Sequence, residues 1–404
     1  MWSRIFIALV LLLVAAPAAA AGTGGFSQSE LAQLAPLLVK NDTVGLSEFD
    51  KTGKPVSMTL ATRIRAKRDT VFQLFTDPEN FYYISTLFKE NTILDRTENA
   101  IVWTWASRHK FFSIVGRNRI VLYPPHRADV TVEESSMGRG RFTLRFVEDG
   151  DSTILVINGF LNVHSSEWLI RFIVGNSPSM IQATNIAIGL VVLKGTRALA
   201  EREQKGKPKR RHVTGGTAGG EPTLLSKEDI DRLKPLLMRG QVFLCNSHKG
   251  GRLKQAIVVD RVRARADAFS AAAAVPQNYN KHISAITDVT VHGSRDAQVD
   301  FSWTLGFSIF GITSRNQLGP VPEGIMLRAV DGDMKGAAWR WQVVPESSAT
   351  SIVAYHAFAD PARTGAILEA TVIREPYLEH GLVMGSNIVM MKAMRRVVET
   401  DPRR

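Results

Sequence analysis

Asp69-Thr70-Val71-Phe72-Gln73-Leu74-Phe75-Thr76-Asp77-Pro78-Glu79-Asn80-Phe81 reads as a short helix that Asp69 can cap and that Asp77-Pro78 stops. The stretch has a counterpart in Asp267-Ala268-Phe269 and Val275-Pro276-Gln277-Asn278-Tyr279, where the helix is mostly alanine. Matches continue outward in the same order. Ser29 to Leu38 resembles Lys227 to Leu237, both ending in Pro-Leu-Leu, and Arg63-Ile64-Arg65-Ala66 resembles Arg261-Val262-Arg263-Ala264. Phe112 to Gly116 matches Phe307 to Gly311, Thr153 to Val156 matches Thr350 to Val353, and Pro178 to Glu201 matches Pro376 to Glu399. A shared order at a nearly constant offset marks an internal duplication.

Each copy reads as helix, strand, helix, six strands and a long helix. In the first copy the strands are expected over 56–66, 92–95, 101–106, 111–122, 128–133, 141–147 and 153–162, from period-two runs with turn residues between them. Trp103 and Trp105 share one strand face, as do Phe142, Leu144 and Phe146, so the meander has an apolar side. Final helices are expected over 179–203 and 377–399, with Ala183, Ala187 and Gly189 at helical spacing in the first, and they are the natural cover for that side. The fold class is therefore α+β. The expected organisation is a signal peptide at 1–21, a first domain at 26–204, a basic and glycine-rich linker at 205–221, and a second domain at 222–400.

The leader reading rests on Arg4, the apolar run Ile5 to Val14 and the small residues Ala18 to Ala21. That run is about half of the ~20 residues a spanning helix needs. No cysteine follows it to carry a lipid anchor, so a soluble periplasmic or secreted protein is expected. Cys245 is the one cysteine in 404 residues, which excludes an intramolecular disulfide and suits a small buried hydrophobe. The formal charge is +12, with Lys205, Lys207, Lys209, Arg210 and Arg211 crowded into the linker and Arg403 and Arg404 at the end. A solvated linker explains this; transient contact with an anionic membrane is the alternative. Nucleic acid is not expected, since no aromatics interleave the basic run.

These residues resemble the START-like superfamily, the polyketide cyclase and lipid-transport group, in tandem duplication. The first strand, the quoted helix through Phe81, the meander, the Thr153 strand and the long last helix carry the resemblance, which covers nearly all of the chain outside the linker. It implies two helix-grip domains, each a curved antiparallel sheet wrapped around its long C-terminal helix. It also implies an elongated apolar cavity between them for a lipid, sterol, fatty acid or polyketide-like molecule. Gly189, Gly381 and Gly385 on the final helices would leave room there, or else allow close packing and a solid interior.

Chemistry is harder to find. The sequence contains no His-Glu-x-x-His, Cys-x-x-Cys, Gly-x-Ser-x-Gly or phosphate loop, and no histidine pair at ligand spacing, so neither metal nor cofactor is expected. Asp331-Gly332-Asp333 reads as a turn before a cation site. Glu133 and Glu134 are adjacent on a strand and face opposite ways. His356, beside Tyr355, could act as an acid or base in a cavity, although a lone strand histidine is commonly structural. Arg63, Arg65, Arg261 and Arg263 read as surface charges, or as anion ligands at a cavity mouth. The expected function is an exported binding or carrier protein for a hydrophobic ligand, with Trp103, Trp105, Phe142, Phe146, Trp339, Trp341 and Tyr355 lining the cavity. A cyclase or dehydratase using the same cavity, or an interaction module with filled cores, are the alternatives.

Overall fold

A computed structural model describes residues 25–108, 113–163, 178–206, 221–283, 286–307, 310–360, 375 and 377–399. The expected signal peptide (1–21), most of the linker (207–220, including Lys207, Lys209, Arg210 and Arg211) and the Arg403-Arg404 tail lie outside these residues.

The first half runs α1 (Gln28–Lys40), β1 (Thr43–Phe49), β2 (Pro55–Ile64), α2 (Arg68–Thr76), β3 (Glu90–Arg96), β4 (Ala100–Arg108), β5 (Ser113–Tyr123), β6 (Arg127–Ser135), β7 (Arg139–Asp149), β8 (Ser152–Asn162) and α3 (Pro178–Glu203). The second repeats it as α4 (Lys227–Leu237), β9 (Gly240–Ser247), β10 (Leu253–Val262), α5 (Ala266–Ala273), β11 (Ile286–Arg295), β12 (Gln298–Phe307), β13 (Phe310–Val321), β14 (Gly324–Gly332), β15 (Ala338–Pro345), β16 (Ser351–Phe358) and α6 (Leu378–Glu399). Ser27 and Ser226 close reciprocal capping boxes with Glu30 and Asp229, which fixes where α1 and α4 begin.

The sixteen strands of the described residues form one antiparallel sheet, in the order β11-β12-β13-β14-β15-β16-β10-β9-β1-β2-β8-β7-β6-β5-β4-β3. The order reads the same from either edge once the halves are exchanged. The centre is the β1–β9 pair, with Val44 opposite Leu244, Gly45 opposite Phe243 and Leu46 opposite Val242. A pseudo-twofold axis thus passes by Gly45 and Phe243, the geometry of an isologous dimer interface inside one chain. Gly45 is required there, because a Cβ would sit 1.9 Å from the Phe243 ring.

This departs from the sequence expectation, which had one strand, not two, before the short helix and so two separate sheets. The reason is burial on both faces: β1 (TVGLSEF) and β9 (GQVFLCNS) have no alternation to read. One face of the central strands packs under α1 and α4, where Leu34, Leu37, Leu233 and Leu236 meet Leu46, Val156, Leu244 and Ala354. The other face meets α3 and α6 through Leu60, Ile157, Val258 and Val353. β16 is buried along its whole length for this reason.

Two smaller expectations change. α2 starts one residue earlier, with Lys67 at its N-cap and no side-chain cap; Asp69 lies in the first turn, where its charge meets the positive end of the helix. Nor do the glycines leave room. A Cβ at Gly381 would lie 2.6 Å from that of Ala187, one at Gly385 3.3 Å from that of Ala183, and one at Gly189 2.4 Å from Leu60. The small residues let α3 and α6 cross closely over the axis and let α3 press on β2.

Candidate functional site in the helix-facing aromatic interiors

Strand alternation sends one side chain in two toward α2, α3 and the short helix Phe81–Ile84 in the first half. Trp103, Trp105 and Phe146 are all buried on that side, and Phe142 is partly buried against the same core. Phe81 lies 5.6 Å from Trp103, Phe88 5.1 Å from Trp105, and Phe72 5.1 Å from Phe146, ring centre to ring centre. The seven predicted residues therefore divide into two interiors, and in the first they are bridged by phenylalanines from the helices.

In the second half Trp339, Trp341 and Tyr355 are buried on the corresponding side. Trp341 stacks 4.0 Å from Tyr355, and its Nε1 donates to the Tyr279 hydroxyl at 3.0 Å; that hydroxyl donates to the Ala273 carbonyl at 2.8 Å. Trp303 joins Tyr279 at 5.9 Å and Trp339 at 6.1 Å. Sequence reasoning did not single out Tyr279 or Trp303 as site residues. The available signal was positional: Tyr279 stands where Phe81 does, and Trp303 on β12 where Trp105 does on β4.

Two donors in these interiors are unused among the described residues. Trp103 Nε1 and Trp303 Nε1 are buried with no hydrogen-bond partner among the described residues. Burial, with Tyr279 nearby, pushes the pKa of the Tyr355 hydroxyl well above the usual phenol value. It stays protonated, a donor and not a base.

His356 points to the other sheet face. Its Nδ1 accepts from Gln255 Nε2 at 2.8 Å and its Nε2 lies 3.1 Å from Gln342 Oε1. Those two amides also bind the backbone of Thr223 and Leu225, so the histidine holds the entry strap of the second half. Burial, with Arg340 nearby, lowers its pKa to about 3, and it is neutral at ordinary pH.

A second polar cluster lies on the seam. Lys194 Nζ donates to Asp42 Oδ2 at 3.1 Å and to Ser247 Oγ at 3.0 Å, and the same Oγ is hydrogen-bonded to His380 Nε2 at 3.0 Å. Arg197 also binds Asp42, at 2.8 Å. His380 Nδ1 has no partner among the described residues, with Glu379 Oε1 at 4.0 Å. A serine, a histidine and a carboxylate outline a nucleophile and base. Here burial, reinforced by Lys194, holds the imidazole neutral far below its usual pKa, and the adjacent ammonium opposes the imidazolium that proton transfer would create. Asp42 and Lys194 belong to one half, Ser247 and His380 to the other: the cluster clasps the halves together.

The remaining candidates are structural. Arg63 pairs with Asp149, Arg261 with Glu346 and Arg263 with Glu399 at half-exposed or exposed sites, while the Arg65 backbone N–H donates to Glu201. Gly332 takes a left-handed turn and Asp333 accepts the Thr313 backbone N–H, so Asp331-Gly332-Asp333 is a turn. Glu133 binds Arg117 and Arg119 at the surface. Burial raises the Cys245 thiol to about 12. Among the described residues no group of three or more His, Cys, Asp or Glu is placed to hold a metal. α3 is long and apolar enough to cross a membrane by composition, but about two thirds of its apolar window is packed inside the protein.

No family model matches the chain, and no curated protein matches it. Solved structures do. The di-domain ARO/CYC StfQ from the steffimycin biosynthetic pathway is 12% identical, with 84% of this chain and 99% of that one covered and a TM-score of 0.28. A STAR-related lipid transfer protein fragment from Xanthomonas axonopodis is 14% identical over 39% of this chain and 93% of its own, with a TM-score of 0.32. A START superfamily protein from Mycobacterium smegmatis is 12% identical over 36% and 98%, with a TM-score of 0.29.

Proposed function

We propose that the protein is an exported carrier or binding protein for a hydrophobic ligand, held between the sheet and the long helix of a START-like, helix-grip half. The observation that carries this reading is the set of unused donors: Trp103 Nε1 and Trp303 Nε1 are buried without partners in aromatic surroundings. Each such orphan costs about 1–3 kcal/mol. An apolar molecule carrying an acceptor atom would remove that cost and supply apolar contact in the same step. Export follows from the leader-like residues Arg4 to Ala21 and places the ligand in the envelope or beyond. Binding is favoured over a cyclase-type reaction because the groups facing the interior are protonated donors, and His356 is turned away and satisfied.

Native mass spectrometry of the mature protein purified from its own envelope fraction, followed by organic extraction, tests the reading. A stoichiometric apolar adduct that is lost when Trp103 or Trp303 is replaced by a charged residue, in a variant that still folds, is the expected result. An apo mass that is unchanged by incubation with lipid mixtures would sink it.

A further inference from the structure

The first wing of the sheet has an outer face, turned away from α2 and α3, that carries an excess of arginine. Along β5, β6 and β7 the residues Asn118, Ile120, Ala128, Leu144 and Phe146 are buried. Alternation therefore puts Arg117, Arg119, Arg127, Arg139, Arg141 and Arg145 on the opposite face. Pairing sets Arg119 opposite Thr131, Thr131 opposite Arg141, and Arg127 opposite Arg145. These three strands contain no lysine.

The carboxylates on this face, Asp129, Glu133 and Glu134, are too few to match the arginines. Glu133 is shared by Arg117 and Arg119, at 3.0 and 2.9 Å, and Asp129 takes Arg127. Arg145 donates to the Phe26 carbonyl. Arg141 is exposed and has no hydrogen bond or ion pair among the described residues. The side chains of Arg117, Arg119 and Arg127 are 44%, 48% and 51% exposed, so their charges remain open to a partner. Val115 and Tyr123 are exposed at the two ends of β5, and the Arg127 guanidinium lies 5.1 Å from the centre of the Tyr123 ring.

The second wing does not repeat this. Its registers set Gln317 opposite Arg328 and Arg328 opposite Ala338, so the row Arg119, Thr131, Arg141 becomes Gln317, Arg328, Ala338. The one arginine of that row is matched by Glu221. On the first wing the arginines are spread over three strands instead of gathered round one point. Arg119 and Arg141, two strands apart, stand about 10 Å from each other at the backbone. Such a spread suits an extended array of anions better than one small anion. Guanidinium groups bind phosphate bidentately, and a half-exposed tyrosine suits a membrane–water boundary.

We infer that the outer face of β5, β6 and β7 is a docking surface for a membrane rich in anionic phospholipid, with headgroup phosphates bound by Arg119 and Arg141 on either side of Thr131. The inference goes beyond the hydrophobic-ligand reading and does not depend on it. It places the membrane contact on the first wing and not in the basic linker.

The test measures co-sedimentation of the full mature chain, at neutral pH and low salt, with phosphatidylcholine vesicles that contain or lack phosphatidylglycerol. Wild type is compared with Arg119→Gln/Arg141→Gln, with Arg141→Gln alone and with Arg315→Gln on the second wing. A further variant replaces Lys205, Lys207, Lys209, Arg210 and Arg211 of the linker by glutamine. Thermal unfolding is the folding control, and Arg141→Gln removes no hydrogen bond or ion pair among the described residues. Wild type is expected to bind only the phosphatidylglycerol vesicles and to leave them as salt is raised. The double variant is expected to bind about 10- to 30-fold more weakly and Arg141→Gln about fivefold, the contributions of two and of one basic residue at an anionic surface. Arg315→Gln should bind as wild type does, since that arginine is already matched by Asp300. Binding kept in the double variant and lost in the linker variant would move the contact to the linker and overturn the inference. Equal binding to both kinds of vesicle would overturn it as well. So would the absence of binding to either, which would leave the hydrophobic-ligand reading to its own test by native mass spectrometry.

Discussion

Lys194 is 4% exposed, yet it joins the halves by binding Asp42 in its own half and Ser247 in the other. Burial would raise the Asp42 carboxyl, but Lys194 and Arg197 beside it overcome that and hold it well below the usual carboxylate range. Removing one partner of such a buried pair leaves the other's desolvation uncompensated. Lys194→Met is expected to destabilise the protein by about 2–3 kcal/mol in urea unfolding, short of a full buried-pair loss because Arg197 remains. His356 makes a different prediction. Its pKa falls from the usual 6.5 to about 3 on folding, so as pH drops through 6.5 the unfolded chain takes up a proton that the folded one refuses. Stability is then lost progressively from pH 6.5 down to about 3, at up to ~1.4 kcal/mol per pH unit from this one group. His380 acts in the same direction. Comparing urea midpoints of wild type and His356→Gln between pH 7 and 4 should show a shallower acid slope in the variant; equal slopes would place the lost proton elsewhere.

Among the elements, α3 and α6 depend on each other through small residues. Gly381 faces Ala187 with no space for a Cβ, and Gly385 meets Ala183 across the same axis. Gly381→Leu is expected to force the helices apart, with an overpacking cost of about 1–3 kcal/mol read from thermal and urea unfolding. An unchanged midpoint would mean that the crossing does not hold the seam. The strands β4, β7, β8, β15 and β16 were legible in the sequence because their alternation or apolar runs survive at the sheet's wings and flanks. β1 and β9 were not, because helices cover them on both faces and every position is free to be apolar. The aromatic stripe was readable for the same reason that the wings were: Trp103 and Trp105 repeat at period two. Tyr279 was marked only by standing where Phe81 does; its hydroxyl's reach to Trp341, 62 residues away, is written in no local pattern.

For the whole molecule, the seam combines a strand pair, a helix crossing and buried polar clasps on either side of one axis. Gln182 donates to Gln241, and Gln241 to Asp260, where the other side of the axis has His380, Ser247, Lys194 and Asp42. The seam is therefore expected to hold the halves together without the expected linker at 205–221. A specific protease site placed within it should, after cleavage, give two fragments that co-elute in size-exclusion chromatography under native conditions and separate only in denaturant. Fragments that separate without denaturant would show that the covalent link holds the halves together. The duplication, the α+β class, the long helices and most of the strands were determined by the sequence alone, because each is written in local periodicity or in the likeness of one copy to the other. The joining of two sheets into one, the close glycine crossing and the unequal interiors were decided only by the tertiary structure. They depend on which residues of one half meet those of the other, and no local pattern carries that information.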